Sequence, residues 1–239
     1  MRTGLKKESK MQFKPNFDLL CDFEKVEKAK DFACNSAFVA VFKRGNKTLV
    51  YMGDIHRQNI SFDMVDMCFS ADFGLQPDVL LVEFENSGRK LDSTFNRNTL
   101  TYAAAVAAKR GIPVVFADLS ESQMLDVINS GFPNNQINDE DLHKVLRAGP
   151  TGTNVYQKMC EYLNRFGRDR FMLENIATAL NNYDTVFAIF GTGHYEEQRL
   201  VLEDMMGKPE YITRIKNMRD DFSGVKIEPV TIFDFKKGE

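Results

Sequence analysis

The sequence predicts an α/β fold with a central, largely parallel sheet and flanking helices. Three observations predict it. Short runs of β-branched and aromatic residues alternate with longer segments of helical periodicity, the order of βα units. The inner runs, such as Val79–Val82 and Val186–Phe190, are apolar throughout, as suits strands covered on both faces. Near the N-terminus two such runs are joined by a tight turn, which adds a β-hairpin.

Residues 1–33 read as a polar N-terminal segment, partly helical. Residues 1–15 are polar and expected to be mobile, and Phe17, Leu20, Val26 and Ala29 among charges predict a short surface helix within 16–33. Residues 34–239 read as a single α/β domain, with 131–165 as a candidate helical insertion. Within the domain, Ala37–Phe42 and Thr48–Met52 are strands, and Gly45-Asn46 between them tolerates the positive φ of a hairpin turn. Residues 60–73 repeat Ile60, Met64, Met67 and Cys68 on one side of a helix, with Ser61 as a candidate cap. The strand Val79–Val82 runs into Glu83-Phe-Glu85 and a polar loop from Asn86 to Ser93. An alanine-rich helix over 94–110 stops at Gly111.

Pro113–Ala117 is a strand ending in Asp118, and Ser120 with Gln123 forms a capping box for a helix through Ile128. Helices are expected near 139–147, 153–165 and 168–181, the last repeating Met172, Ile176 and Leu180. Val186–Phe190 is a strand leading into a helix through Met206. Residues 225–233 read as an edge strand, because Pro229 cannot donate to a ladder.

Composition excludes some function classes. With 43% hydrophobic and 27% charged residues the chain resembles ordinary globular proteins, and 239 residues can bury a core without staples. A formal charge of −3 provides no basic field, so no nucleic-acid partner is expected. The four cysteines, Cys21, Cys34, Cys68 and Cys160, form no Cys-x-x-Cys unit and read as small buried hydrophobes of a reducing compartment. The first ten residues lack the apolar run of a signal peptide, and no stretch approaches the ~20 apolar residues of a membrane helix. The expectation is a cytoplasmic protein without a membrane partner, with homo-oligomerisation left open.

Two stretches carry the chemistry: Gly53-Asp-Ile-His56 and Gly191-Thr-Gly-His194. The chain has three histidines, and two of them stand three residues after a glycine that follows an apolar strand. The third, His143, sits among Asp141 and Lys144 and reads as a solvated helix residue. Four expected strands end in a polar residue: Asp54 with His56, Glu83 with Glu85, Asp118, and His194. In α/β sheets ligands bind beyond the carboxyl ends of the strands, so these residues would gather on one rim. Two neutral imidazoles and a carboxylate can hold a divalent metal with an open position for water. A second carboxylate would then take a proton from water, with a cationic side chain at the oxyanion. Each residue also has a plainer reading. Asp54 can bond backbone amides of its turn, Asp118 can belong to a helix entry, and Glu83 can be an ion-pair partner.

In order along the chain, these motifs resemble a known superfamily, the one grouping TraB/PrgY, GumN, Tiki, ChaN and erythromycin esterase proteins. The resemblance rests on the two glycine-x-x-histidine motifs, on Pro77-Asp-Val-Leu-Leu-Val-Glu83, on Gly111-Ile-Pro-Val-Val-Phe-Ala-Asp118, and on Arg168-Asp169 followed by Met172 and Ile176. The matches run from about residue 37 to 206. The resemblance implies an EreA/ChaN-like α/β fold with two histidines, a glutamate and an arginine around one pocket. In Tiki-like members it implies metal-dependent peptide hydrolysis, with manganese, cobalt or zinc as the metal. Esterase-like members imply histidine–glutamate activation of water, and ChaN-like members imply haem binding. Carried over, His56 and His194 are ligands or bases, Glu83 a ligand or base, and Arg168 an electrophilic stabiliser. Asp54 and Asp118 are further catalytic candidates, and the substrate is a peptide or small molecule.

Overall fold

The parallel heart of the molecule is built from four of the apolar runs, each ending at the same edge. A computed structural model describes residues 12–20, 37–55, 58–85, 91–92, 98–150, 152–212, 226–227, 230 and 232. The strands are β1 (Phe38–Arg44), β2 (Lys47–Asp54), β3 (Val79–Glu85), β4 (Leu91–Asp92), β5 (Val114–Asp118), β6 (Thr185–Gly191), β7 (Glu210–Ile212) and β8 (Lys226–Ile227). A mixed six-stranded sheet has the order β5-β3-β6-β2-β1-β7. The pairs β5–β3, β3–β6 and β6–β2 are parallel, and β2–β1 and β1–β7 are antiparallel. The hairpin closes as expected: Arg44 pairs with Lys47, and Gly45 has φ 62°.

The helices are α1 (Gln58–Phe69), α2 (Thr99–Lys109), α3 (Glu121–Gly131), α4 (Asp139–Ala148), α5 (Val155–Leu163), α6 (Asp169–Asn182) and α7 (Thr192–Met206). Strand alternation sorts the apolar side chains onto two faces. On one face Tyr51, Leu81, Val115 and Phe190 pack with Met172 and Ile176 of α6 and Leu202 of α7. On the other, Val50, Met52, Val82 and Ile189 pack with Met64 and Cys68 of α1 and Ala104 of α2. Helices α3 to α5 close a third core around Met124, Ile128, Val145, Met159 and Leu163. This satellite covers the expected 131–165 segment but begins earlier, at Leu119.

Several local expectations change. The first residues described are anchored: Phe13 is buried, and the Asn181 side chain bonds both its N–H and its carbonyl. Within 16–33 the described part forms a single 3₁₀ turn, Phe17–Leu19, capped by Asn16, and 21–33 lie outside the described residues. Helix α1 starts before Ser61, so this serine is an interior residue, fully buried, rather than a cap. Helix α2 starts at Thr99, because the Asn98 side chain accepts from the Thr101 N–H. The capping box at Ser120 and Gln123 is present. Of the strand expected over 225–233, the described part pairs as β8 with β4 in a separate small sheet, and the Val230 N–H reaches the Val114 carbonyl. No helix among the described residues is long and apolar enough to cross a membrane.

The glycine of the first histidine motif is required by packing. A Cβ on Gly53 would lie 2.2 Å from the Phe38 ring, which is fully buried and edge-packed on Tyr195. Gly53→Ala is therefore expected to destabilise the fold by about 1–3 kcal/mol through overpacking. A urea midpoint equal to that of the wild type would contradict this.

Candidate active site

Four strands of the parallel core bring their last residues to one edge, and two helices supply what faces them. In the sheet Asp54 lies beside Gly191, and Glu85 beside Asp118 after a register shift in β3. Glu83 shares the alternation of Val79 and Leu81, which places it on the face covered by α6 and α7. A π-helical turn, Asn164–Arg168, precedes α6 and delivers Arg168 to that face. Helix α7 starts directly after β6, so His194 sits in its first turn.

The side chains form one continuous chain of hydrogen bonds and ion pairs. Arg168 Nη2 donates to Glu83 Oε1 (2.7 Å) and to Asp118 Oδ2 (2.6 Å), and its Nε donates to both Asp118 oxygens (3.1 Å each). Glu83 Oε2 accepts from the Gly191 N–H (2.6 Å), at the positive end of the α7 dipole. His194 Nε2 lies 3.3 Å from Glu83 Oε1, and its Nδ1 lies 3.0 Å from Asp169 Oδ1. Gln198 Nε2 donates to the same Asp169 oxygen (2.6 Å). The order is Asp169–His194–Glu83–Arg168–Asp118. Asp169 has no exposed side-chain surface, whereas Glu83 and Arg168 keep 11% and 14%, so the chain opens to solvent at its centre.

Charge sets the protonation states. Burial alone would raise the Glu83 carboxyl, but His194, Arg168 and the Gly191 N–H together hold it far below the usual carboxylate range. Burial likewise favours a neutral His194, and the charges of Asp169 and Glu83 outweigh it, so the imidazole stays protonated well above its ordinary range. Arg168 is pushed further up by Asp118 and Glu83 against its burial. Glu197, one turn beyond His194, moves the opposite way to Glu83: burial, then the charge of Asp169, lifts it to about 9.

These shifts fix the pH dependence of stability. His194 is raised, so its contribution is full below the ordinary 6.5 and is lost as pH rises through its folded value. Glu197 is also raised, and its contribution declines as pH climbs from 4.5 to about 9. Glu83 is lowered, so its contribution is full above 4.5 and is lost as pH falls through its folded value. The urea midpoint is therefore expected to fall between pH 6 and pH 9, and Glu197→Gln to flatten that decline. A midpoint that rises over this interval would contradict the assignment.

Glu83, Arg168, Asp118 and His194, all named from sequence, thus meet at one place. Asp118 also serves the plainer role, because its Oδ1 accepts from the Leu119 N–H (2.8 Å). Asp54 is buried at the end of β2, but by alternation it belongs to the Met52 face, opposite Glu83. His56 lies outside the described residues, as does the side chain of Glu85. His143 is exposed on α4. Asp169, Gln198 and Glu197 were not expected as participants. Their signal was polar residues at core positions of amphipathic helices: Asp169 precedes Met172 and Ile176 by three and seven, and Glu197 and Gln198 follow His194 by three and four.

Among the described residues no group of three or more His, Cys, Asp or Glu side chains converges as a metal cage. His194 Nε2 and Glu83 Oε1 offer two donors, whereas catalytic zinc sites use three protein ligands. Both Glu83 oxygens already carry hydrogen bonds, and one of them touches the Arg168 cation. The described set alone does not fit a divalent ion.

No family model, curated protein or solved structure matches the chain.

Proposed function

We propose that the chain is a hydrolase that adds water to an amide or ester carbonyl at this strand edge, using acid–base chemistry of its own side chains. The observation that carries the reading is the continuous order Asp169–His194–Glu83–Arg168–Asp118, joined by hydrogen bonds and, between His194 and Glu83, by an ion pair, and open to solvent at Glu83 and Arg168. The histidine is the acid and the glutamate the base of a single unit.

Glu83 accepts a proton from water as the water oxygen bonds to the carbonyl carbon. An ionised Glu83 this stable is a weak base while His194 is charged beside it. Its basicity rises as His194 Nε2 gives its proton to the leaving nitrogen or oxygen, so the two transfers are coupled. The carbon–heteroatom bond breaks, and an acid with an amine or alcohol is released. Asp169 keeps the Nδ1 proton in place and orients the ring. Arg168, fixed by Asp118, holds Glu83 ionised and presents positive charge where the oxyanion develops. The five ordered motifs support placing the chain with the TraB–Tiki–erythromycin esterase superfamily and its EreA/ChaN-like fold, with a peptide or small-molecule substrate.

One observation favours a second reading, in which His194, Glu83 and His56 hold manganese, cobalt or zinc. Asp169 on Nδ1 is the partner that metal-ligating imidazoles use, and it leaves Nε2 facing Glu83. A panel of nitrophenyl esters and fluorogenic peptides separates the two. After exhaustive dialysis against EDTA, turnover is expected to persist in the wild type and to fall about 10²–10⁴-fold in Glu83→Gln. Turnover that vanishes on chelation and returns with one of those metals would establish the second reading instead.

A further inference from the structure

The acid side of the site contains a carboxyl group that the proposed mechanism does not use. Glu197 is 3% exposed and lies on the inward face of α7, with His194 one turn before it and Val201 one turn after it. The groups that face it are Asp169 of α6, His194 of its own helix, and Glu161 and Cys160 of α5. Two of these, Asp169 and Glu161, are carboxyl groups, so an ionised Glu197 would stand beside like charge in a buried place. Asp169 meanwhile accepts two hydrogen bonds on Oδ1, from His194 and Gln198, while its buried Oδ2 receives none from the described residues. A buried carboxylate oxygen without a donor is costly, and a neutral carboxylic acid is the donor at hand.

We infer that Glu197 is a positioning residue: as a carboxylic acid it hydrogen-bonds the second oxygen of Asp169 and, with Gln198 on the first, fixes the carboxylate that aims His194 at Glu83. The rise of the Glu197 carboxyl to about 9, caused by burial and then by the charge of Asp169, agrees with this geometry. The inference rests on the hydrolase reading for its catalytic consequence but not for the hydrogen bond itself. Substituting a group behind an oriented imidazole is expected to lower turnover about 10–100-fold.

Glu197→Leu removes the donor and keeps most of the volume, and Glu197→Gln keeps a donor. The expected result is a 10–100-fold lower kcat in Glu197→Leu with KM within about twofold, and rescue in Glu197→Gln to within about threefold. Histidine-¹⁵N labelling supplies a readout independent of turnover: the hydrogen-bonded His194 Nδ1 proton resonance is expected in the wild type and Glu197→Gln and displaced in Glu197→Leu. A ¹³C carboxyl spectrum of the wild type at pH 7 should show Glu197 protonated, a test that holds even if Glu197→Leu does not fold. Equal impairment of both variants, an unmoved Nδ1 resonance in Glu197→Leu, or an ionised Glu197 at pH 7 would overturn the inference. A wild type that hydrolyses nothing would sink the hydrolase reading while the two spectra still decide the role of Glu197.

Discussion

Replacing Arg168 by methionine is expected to destabilise the protein by about 3–5 kcal/mol, the largest loss from any single change considered. The reason is asymmetry. Arg168 is the shared cation of Glu83 and Asp118, at 2.7 and 2.6 Å, and these carboxylates keep 11% and 6% of their side-chain surface. Removing it leaves two nearly buried negative charges facing each other across the end of the sheet. Lysine is not an adequate substitute, because a point charge cannot serve Asp118 through Nε and Nη2 while reaching Glu83. Urea unfolding of Arg168→Met checks the magnitude, and a loss below about 1 kcal/mol would contradict it. In a Glu83→Gln, Asp118→Asn background the same substitution should cost far less, since the uncompensated charges are gone.

The second large effect is on turnover. His194→Gln is expected to lower kcat about 10²–10⁴-fold, because it removes the proton donor while preserving much of the volume. Asp169→Asn should act through the same ring by a different route. Asp169 is the leading influence that keeps His194 protonated against its burial. Without that charge the imidazole loses its proton at lower pH, so the alkaline limb of kcat moves to lower pH. The measurement is kcat against pH for wild type and Asp169→Asn. An alkaline limb in the same place for both would show that Asp169 does not set the state of His194.

Much of the fold could be read from the sequence because its strands are buried on both faces and announce themselves as apolar runs. Glu83, Asp118 and the Gly191 turn were legible for the same reason, each standing where such a run stops. Arg168 was legible because it is a charge four residues before Met172, in line with the apolar stripe of α6. What was not legible came from elements whose position only packing reveals. Asp54 looks like a site residue by its place in the motif, but strand alternation assigns it to the Met52 face. Asp169 and Gln198 look like ordinary helix polar residues until α6 and α7 cross behind His194. The short β7 has exposed Glu210 and Tyr211 and no apolar run to mark it. Its place at the edge depends on pairing with β1.

The central claim is that Asp169, His194 and Glu83 act as one unit, and a double-variant cycle on kcat tests it most directly. Asp169→Asn, Glu83→Gln and the double variant are compared on one ester substrate after chelation. If the three residues form a single relay, the double variant is no slower than the worse single variant, because either change already disables the unit. Losses that multiply in the double variant would contradict the relay and make the two carboxylates independent contributors.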